Sequence, residues 1–112
     1  MKDTISWEDF EKIEIRTGSI ISAEAFPEAK KPAYKLTIDF GEFGIKRSSA
    51  QITSLYSCDD LKGQSILAVI NFKPKQVGPF ISECLVLGVY LANNDIVLIK
   101  PERPLPNGLL LG

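Results

Sequence analysis

The sequence predicts an all-β fold on three observations: five or six short segments rich in β-branched residues, one short helical segment between the third and fourth main strands, and Gly18 in the middle of the first strand. Together they describe a five-stranded Greek-key barrel of the OB type, with a short N-terminal helix, the inter-strand helix and an extended C-terminal arm. An open β-sandwich is the competing architecture. The helix after strand three favours the barrel, because an OB fold places a helix there. At 112 residues, a single domain over 1-112 with a core of modest size is expected.

The elements follow in order. Ser6 ahead of "WEDFEK" reads as an N-cap, Glu8 and Asp9 sit in the first turn where the helix dipole favours acids, and Trp7, Phe10 and Ile13 form an apolar stripe. "EIRTGSIISAEAF" is a strand with Ile13, Ile15, Thr17 and Ser19 on one parity, and Gly18 within it predicts a bulge or sharp bend. "PEAKKPA", residues 27 to 33, is a loop or helical turn bracketed by Pro27 and Pro32. "YKLTIDF" alternates Tyr34, Leu36, Ile38 and Phe40 against Lys35, Thr37 and Asp39, a half-buried strand that assigns Tyr34 and Phe40 to the core. "GEFG" is a hairpin turn into the strand "IKRSSAQI", and "TSLYSCDDLKGQ" is a short helix ending at Gly63. "SILAVINF" and "ECLVLGVYL" are the two most apolar strands, "NND" turns into "IVLIK", and "PERPLPNGLLLG" is held extended by its prolines before a turn at Asn107 and Gly108.

Both strong strands are apolar on both parities: Ile66, Ala68 and Ile70 alternate with Leu67 and Val69, and Leu85, Leu87 and Val89 with Val86 and Tyr90. A strand in a small isolated barrel shows water one polar face. The surplus has to be covered by the helices, the tail or another subunit. About 500 Å² left over would exceed what a soluble monomer normally exposes, so a homodimer is expected.

Composition removes most chemistry. There is no histidine, hence no usual general base, triad relay or metal ligand. Asp59 and Asp60 lie at a helix terminus, and "GEFG" lacks the length and lysine of a phosphate-cradling loop. Cys58 and Cys84 are too few for a disulfide framework and too far apart for a zinc knuckle, so both are expected as free thiols. No catalytic residue, metal or cofactor is expected. The N-terminus has no apolar signal core and no apolar run reaches the roughly 18 residues of a spanning helix, which predicts a cytoplasmic protein without membrane insertion.

Binding remains. With 13 basic and 14 acidic side chains, nucleic-acid binding requires a local patch. Lys30, Lys31, Lys35, Lys46, Arg47, Lys73 and Lys75 fall in the middle of the chain. The second and third strands of an OB barrel line its ligand groove, which brings Lys35, Lys46 and Arg47 onto or beside it. Phe43, Tyr34, Phe72 and Phe80 offer stacking surface or apolar pockets, and Phe80, beside Pro79 in "NFKPKQVGPF", has no strand parity to bury it. The competing assignment makes the lysines a solubilising face and the aromatics core.

"FEKIEIRTGSII", "SSAQITSLY", "NFKPKQVGPFISECLVLG" and "PLPNGLLLG", in this order, resemble the tRNA-binding-domain family of OB folds across essentially the whole chain. "FPEAKKPAYKLTIDFG", "GIKRSSAQIT" and "VINFKP" are most similar to its CsaA-type branch of secretion-related chaperones. The resemblance implies a cytoplasmic, non-enzymatic homodimer that holds unfolded preprotein segments and cooperates with the Sec translocation machinery. Relatives elsewhere in the family bind tRNA by shape and charge. Where those domains read like "ADKLY" this chain has "AKKPAYKL", and where they carry a further basic residue after "NLKP" it has Gln76 and Val77. Each lost phosphate contact weakens an electrostatic interface.

Two ligand assignments follow. For an extended peptide, Phe72, Val77 and Phe80 accept apolar side chains while Arg47, Ser49 and Gln51 of the polar "RSSAQ" stretch hydrogen-bond the backbone. For tRNA, the contacts are Lys35, Lys46, Arg47, Lys73 and Lys75, with Ser49 and Ser82 as hydroxyl partners of phosphate. The peptide assignment leads, because the resemblance implies a basic position lost before Gly78, while apolar Val77 and Phe80 suit a hydrophobic peptide.

Overall fold

The computed structural model describes all 112 residues. Helix α1 (Trp7–Glu11) is fixed by a reciprocal capping box in which the Asp9 N–H donates to Ser6 Oγ at 3.1 Å and the Ser6 N–H to Asp9 Oδ2 at 3.2 Å. It buries none of its residues, and Trp7 is 85% exposed. Strand β1 (Ile15–Ala25) follows and pairs antiparallel with β2 (Tyr34–Asp39), which turns Leu36 and Ile38 fully into the core. A single 3-10 turn at Gly41–Phe43 leads to β3 (Ile45–Ala50), the partner of β2.

Helix α2 (Cys58–Leu61) is one turn long, capped by Ser57 and Asp60 in a second capping box, and delivers the fully buried Leu61 to the core. Gly63, with φ 87°, ends it as expected, and its N–H donates to Ile20 O of β1 at 2.8 Å. Strand β4 (Ser65–Val69) pairs with Ile15–Ser19 of β1. The chain then makes a hairpin, β5 (Lys75–Val77) and β6 (Phe80–Ser82), before β7 (Leu85–Val86) returns to β4. The central sheet runs β3-β2-β1-β4-β7. The last hairpin, β8 (Gly88–Tyr90) and β9 (Ile96–Leu98), turns through Asn94 in the left-handed region at φ 70°.

No regular ladder joins β3 to β7. Five other bonds close the barrel there: Glu83 N–H to Arg47 O at 2.8 Å, Ser48 Oγ–H to Cys84 O at 2.9 Å, Ser49 N–H to Ser82 Oγ at 3.1 Å, Arg47 N–H to Glu83 Oε1 at 3.0 Å, and the Cys84 thiol to Arg47 O at 3.8 Å. Inside lie Ile20, Leu36, Ile38, Phe40, Leu61 and Ile66. The nearly closed five-stranded antiparallel barrel is the OB fold expected from the sequence.

Several local expectations change. Gly18 is not itself the bulge, because the register shift comes between Ile20 and Ser22. Its role is close approach: a Cβ there would lie 2.8 Å from the Phe40 ring. "ECLVLGVYL" is two strands, β7 and β8, and a Cβ at Gly88 would meet the Val97 carbonyl at 2.8 Å. "NFKPKQVGPF" contains a hairpin, with Gly78 (φ 58°) and Pro79 as its two-residue turn. Phe80 therefore has strand parity after all and is buried against Phe26 and Ala33. The arm does not cover the two-faced strands; it runs beside β1, with Thr17 N–H donating to Leu109 O at 3.0 Å and Leu111 N–H to Ile15 O at 2.9 Å. Leu85, Val89 and Tyr90 stay exposed in the single chain.

Gly18→Ala is expected to cost about 2 kcal/mol through overpacking against Phe40, and Phe40→Leu in the same chain should recover part of that loss. Denaturant unfolding of the two single variants and the double variant checks this; strictly additive losses would refute the contact. A second expectation concerns alkali. Burial first, with the nearby Glu83 charge adding, pushes the Cys84 thiol from 9.0 up to about 11 against the opposing Ser48 hydrogen bond and Lys46. Between those values the folded chain keeps a proton that the unfolded chain releases, so stability falls as pH rises, by up to about 1.4 kcal/mol per pH unit. Cys84→Ala should lack this component of the alkaline slope in parallel unfolding curves.

Candidate functional site

The 27 to 33 loop and the β5–β6 hairpin lean together because Phe26 and Phe80 meet edge to face, 5.3 Å between ring centroids, with Ala33 beside them. Next to that contact opens a groove of about 1090 Å³, bounded by the loop, the hairpin and the closing seam of the barrel. Its apolar lining is Ala29, Ala33, Phe72, Val77, Cys84 and Leu85. Phe72 is 56% exposed and Leu85 49%, so both present side chain to solvent. Lys30 and Lys31 stand on the loop side, and Lys73 and Lys75 on the hairpin side. None of these four takes part in an ion pair; the chain's ion pairs are Lys12–Asp9, Arg16–Glu14, Arg47–Glu24 and Arg103–Glu102. The two acids of the lining are Glu28 and Glu83, and Glu83 already accepts the Arg47 N–H.

Of the residues singled out from sequence, Phe72, Val77, Ser49, Gln51, Lys73, Lys75 and Ser82 line this groove. Phe80 does not. It is 5% exposed beneath the hairpin, with the Arg47 guanidinium 4.5 Å from its ring centroid, so it supports the groove from behind and cannot receive a ligand side chain. Lys35 and Arg47 lie on the β2–β3 face that carries Ser49, beyond the groove, with Lys35 Nζ 5.6 Å from the Phe26 ring. Lys46 pairs opposite Ile38 and thus lies on the face that carries the core, away from Arg47. The period-two rule already separates adjacent residues 46 and 47 in this way. Ser82 Oγ accepts the Ser49 N–H and donates to Cys84 O at 3.4 Å, so its one donor hydrogen, the group a phosphate would need, is engaged within the seam.

Lys30, Lys31 and Leu85 join the groove without having been assigned to it. The two lysines sit in a loop whose partner is some 45 residues away in the chain, so only the Phe26–Phe80 contact brings them in. For Leu85 a signal existed, since it is the apolar residue at the start of a strand apolar on both parities.

No constellation for acid–base or nucleophilic chemistry assembles. The Ser57 N–H, with the Ser57 hydroxyl adding, holds the Asp60 carboxyl below its ordinary value, a consequence of helix capping. No group of three or more Cys, Asp or Glu is placed to hold a metal. No helix is long and apolar enough to cross a membrane. A second groove of about 710 Å³ lies between α1 and the arm, lined by Trp7, Phe10, Ile13, Leu110 and Leu111 among others.

Comparison with known proteins agrees with this architecture. The structure of chaperone CsaA from Bacillus anthracis str. Ames superposes with a TM-score of 0.94 at 49% identity, covering 98% of this chain and 100% of that one. CsaA chaperone protein from Picrophilus torridus gives 0.92 at 46% identity, over 97% and 100%. Methionine–tRNA ligase of Methanococcoides burtonii is 33% identical over 102 residues, 91% of this chain; the chain spans only 15% of that protein's length. Residues 15–109 match the model of the putative tRNA binding domain, and the chain belongs to that family.

Proposed function

We propose that the protein is a non-enzymatic chaperone of the CsaA type that holds unfolded preprotein segments in the groove between the 27 to 33 loop and the β5–β6 hairpin. The observation that carries this reading is the exposed apolar lining, Phe72 and Leu85 above all, set among small polar groups that can hydrogen-bond an extended chain. The likeness of the whole chain to two CsaA chaperone structures supports it. In this role apolar side chains of the substrate rest on Phe72, Val77 and Leu85 while Ser49 and Gln51 face its backbone. The setting is the cytoplasm, and the Sec translocation machinery receives the held preprotein.

We further propose that the working form is a homodimer joined through α1 and the arm. Trp7, Phe10 and Ile13 on one side and Leu109, Leu110 and Leu111 on the other leave a large apolar surface in water. A soluble monomer rarely exposes so contiguous a patch.

A second reading, tRNA binding, is favoured by the four unpaired lysines around the groove and by the match to the tRNA-binding model. Here the lysines neutralise phosphates and Phe72 offers a stacking face.

Three measurements separate these statements. Suppression of aggregation of a denatured preprotein should fall about tenfold in potency for Phe72→Ser with Leu85→Ser and change little for Lys73→Ala with Lys75→Ala, since each lost apolar contact is worth more than a solvated charge. Labelled tRNA titrated at low and high salt tests the alternative; steeply salt-dependent binding that the lysine changes weaken, alongside unaltered aggregation in the Phe72 and Leu85 variant, would replace the chaperone reading. Sedimentation should give twice the 12.4 kDa chain mass at micromolar concentration and a monomer for Trp7→Asp, whose acid suits the first helical turn. A wild-type mass of one chain would refute the dimer.

A further inference from the structure

We infer that the groove selects acidic–apolar segments: its preferred occupant is an extended stretch of polypeptide in which Asp or Glu flanks large apolar side chains, and stretches with Lys or Arg in those places are disfavoured. This rests on the peptide-holding reading above and names the substrate class of that site.

Charge carries the inference. Four lysines against two glutamates leave the groove lining at net +2 in a chain whose total is -1, so positive charge is concentrated here. Lys30, Lys31, Lys73 and Lys75 are all exposed, and no carboxylate lies within ion-pair distance of any of them. Glu83 is occupied by the barrel seam, which leaves Glu28 as the lining's one acid without a hydrogen-bond partner. Like charges gathered without partners raise the free energy of the empty groove, and an anionic occupant lowers it while a cationic one raises it further. Each pair is weak because it is solvated; selectivity comes from several acting together.

The floor favours polypeptide over single-stranded nucleic acid. Phe72 is the single aromatic ring in the groove, and the remaining apolar lining consists of alanines, Val77, Leu85 and the Cys84 thiol. A single-stranded nucleic acid uses lysines with successive aromatic platforms. Aliphatic walls between lysines instead suit aliphatic side chains, with the lysine stems lying along the apolar surface and their ammonium groups reaching outward to carboxylates.

Fluorescence anisotropy of the full chain with labelled twelve-residue peptides tests this. The peptides share their Leu and Phe positions and differ only in carrying Glu or Lys at the flanks. The acidic peptide is expected to bind about tenfold tighter than the basic one at about 50 mM salt, and the ratio should shrink at about 300 mM as screening sets in. Lys73→Glu with Lys75→Glu should invert the preference, whereas Leu85→Ser should weaken both peptides by the same factor. Should the charge-reversed variant fail to fold, Lys30→Gln with Lys31→Gln, on the exposed loop, is expected to cut the ratio about threefold. Equal binding, or tighter binding of the basic peptide, overturns the acidic preference and leaves peptide holding intact. Binding of neither peptide while a tRNA probe binds overturns both.

Discussion

Closure of the barrel along β3 is the constraint on which the rest of the molecule depends. The sheet order β3-β2-β1-β4-β7 is open by itself, and β3 is joined to the segment leading into β7 through hydrogen bonds between Arg47–Ser49 and Ser82–Cys84 rather than through a ladder. Ser48 and Cys84 are buried, so a bond lost there would strand a polar group in a low-dielectric interior. The structure leaves no buried side-chain polar atom without a partner. Residues 82 to 84 leave directly from β6, so closing the barrel also fixes where the hairpin departs. The groove wall is thus a by-product of closure, and Cys84 belongs to both core and groove.

A second, smaller contact sets the width of the groove. Phe26, Ala33 and Phe80 form a satellite core outside the barrel, with Arg47 over one ring and Lys35 near the other. Arg47 also lies 3.9 Å from the Glu24 carboxylate. A solvated cation over an aromatic ring contributes about 0.5–1 kcal/mol, enough to favour one rotamer of a long side chain. Arg16 does the same over Phe43 at 3.8 Å while its Nη1 donates to Gly108 O, fastening the arm. Among the basic residues, Arg16, Lys35 and Arg47 thereby lie on aromatic rings, whereas Lys30, Lys31, Lys73 and Lys75 around the groove have no ion-pair partner.

This division explains what the sequence could and could not reveal. Strands whose parity is simple were legible: "YKLTIDF" became β2 with Leu36 and Ile38 inward, and Ser6 caps α1 as its place before an acidic first turn predicts, while the Ser57 cap of α2 follows the same spacing without having been read. Gly18 was legible as a special position, but its cause, the Phe40 ring, comes from the residue just past the end of β2, some twenty positions along the chain. The hairpin within "NFKPKQVGPF" was missed because prolines and glycine dominate its composition, although Gly78-Pro79 between "KQV" and "FIS" is a two-residue turn between apolar-bearing strands. Phe80 went to the wrong side of the groove wall for that reason. Lys30 and Lys31 were visible as charges, yet their neighbours are set by tertiary contact, which no local pattern encodes.

A shallow groove of this kind binds weakly at each site, and the proposed role requires that. Fixing an extended segment costs about 1–2 kcal/mol per ordered residue, while burial returns about 25 cal/mol per Å² of apolar surface, so two or three contacts such as Phe72 and Leu85 leave a small surplus. Solvated lysines add encounter rate and charge preference more than affinity. A holder with slow release would trap the chain it must hand on. In a dimer, two such grooves engage one long unfolded chain, and the second engagement is intramolecular, so retention rises steeply while every individual contact still opens quickly. In the proposed dimer the apolar surface at α1 and the arm and the weak groove are complementary features: the first would supply the valency that the second, shallow enough for release, lacks.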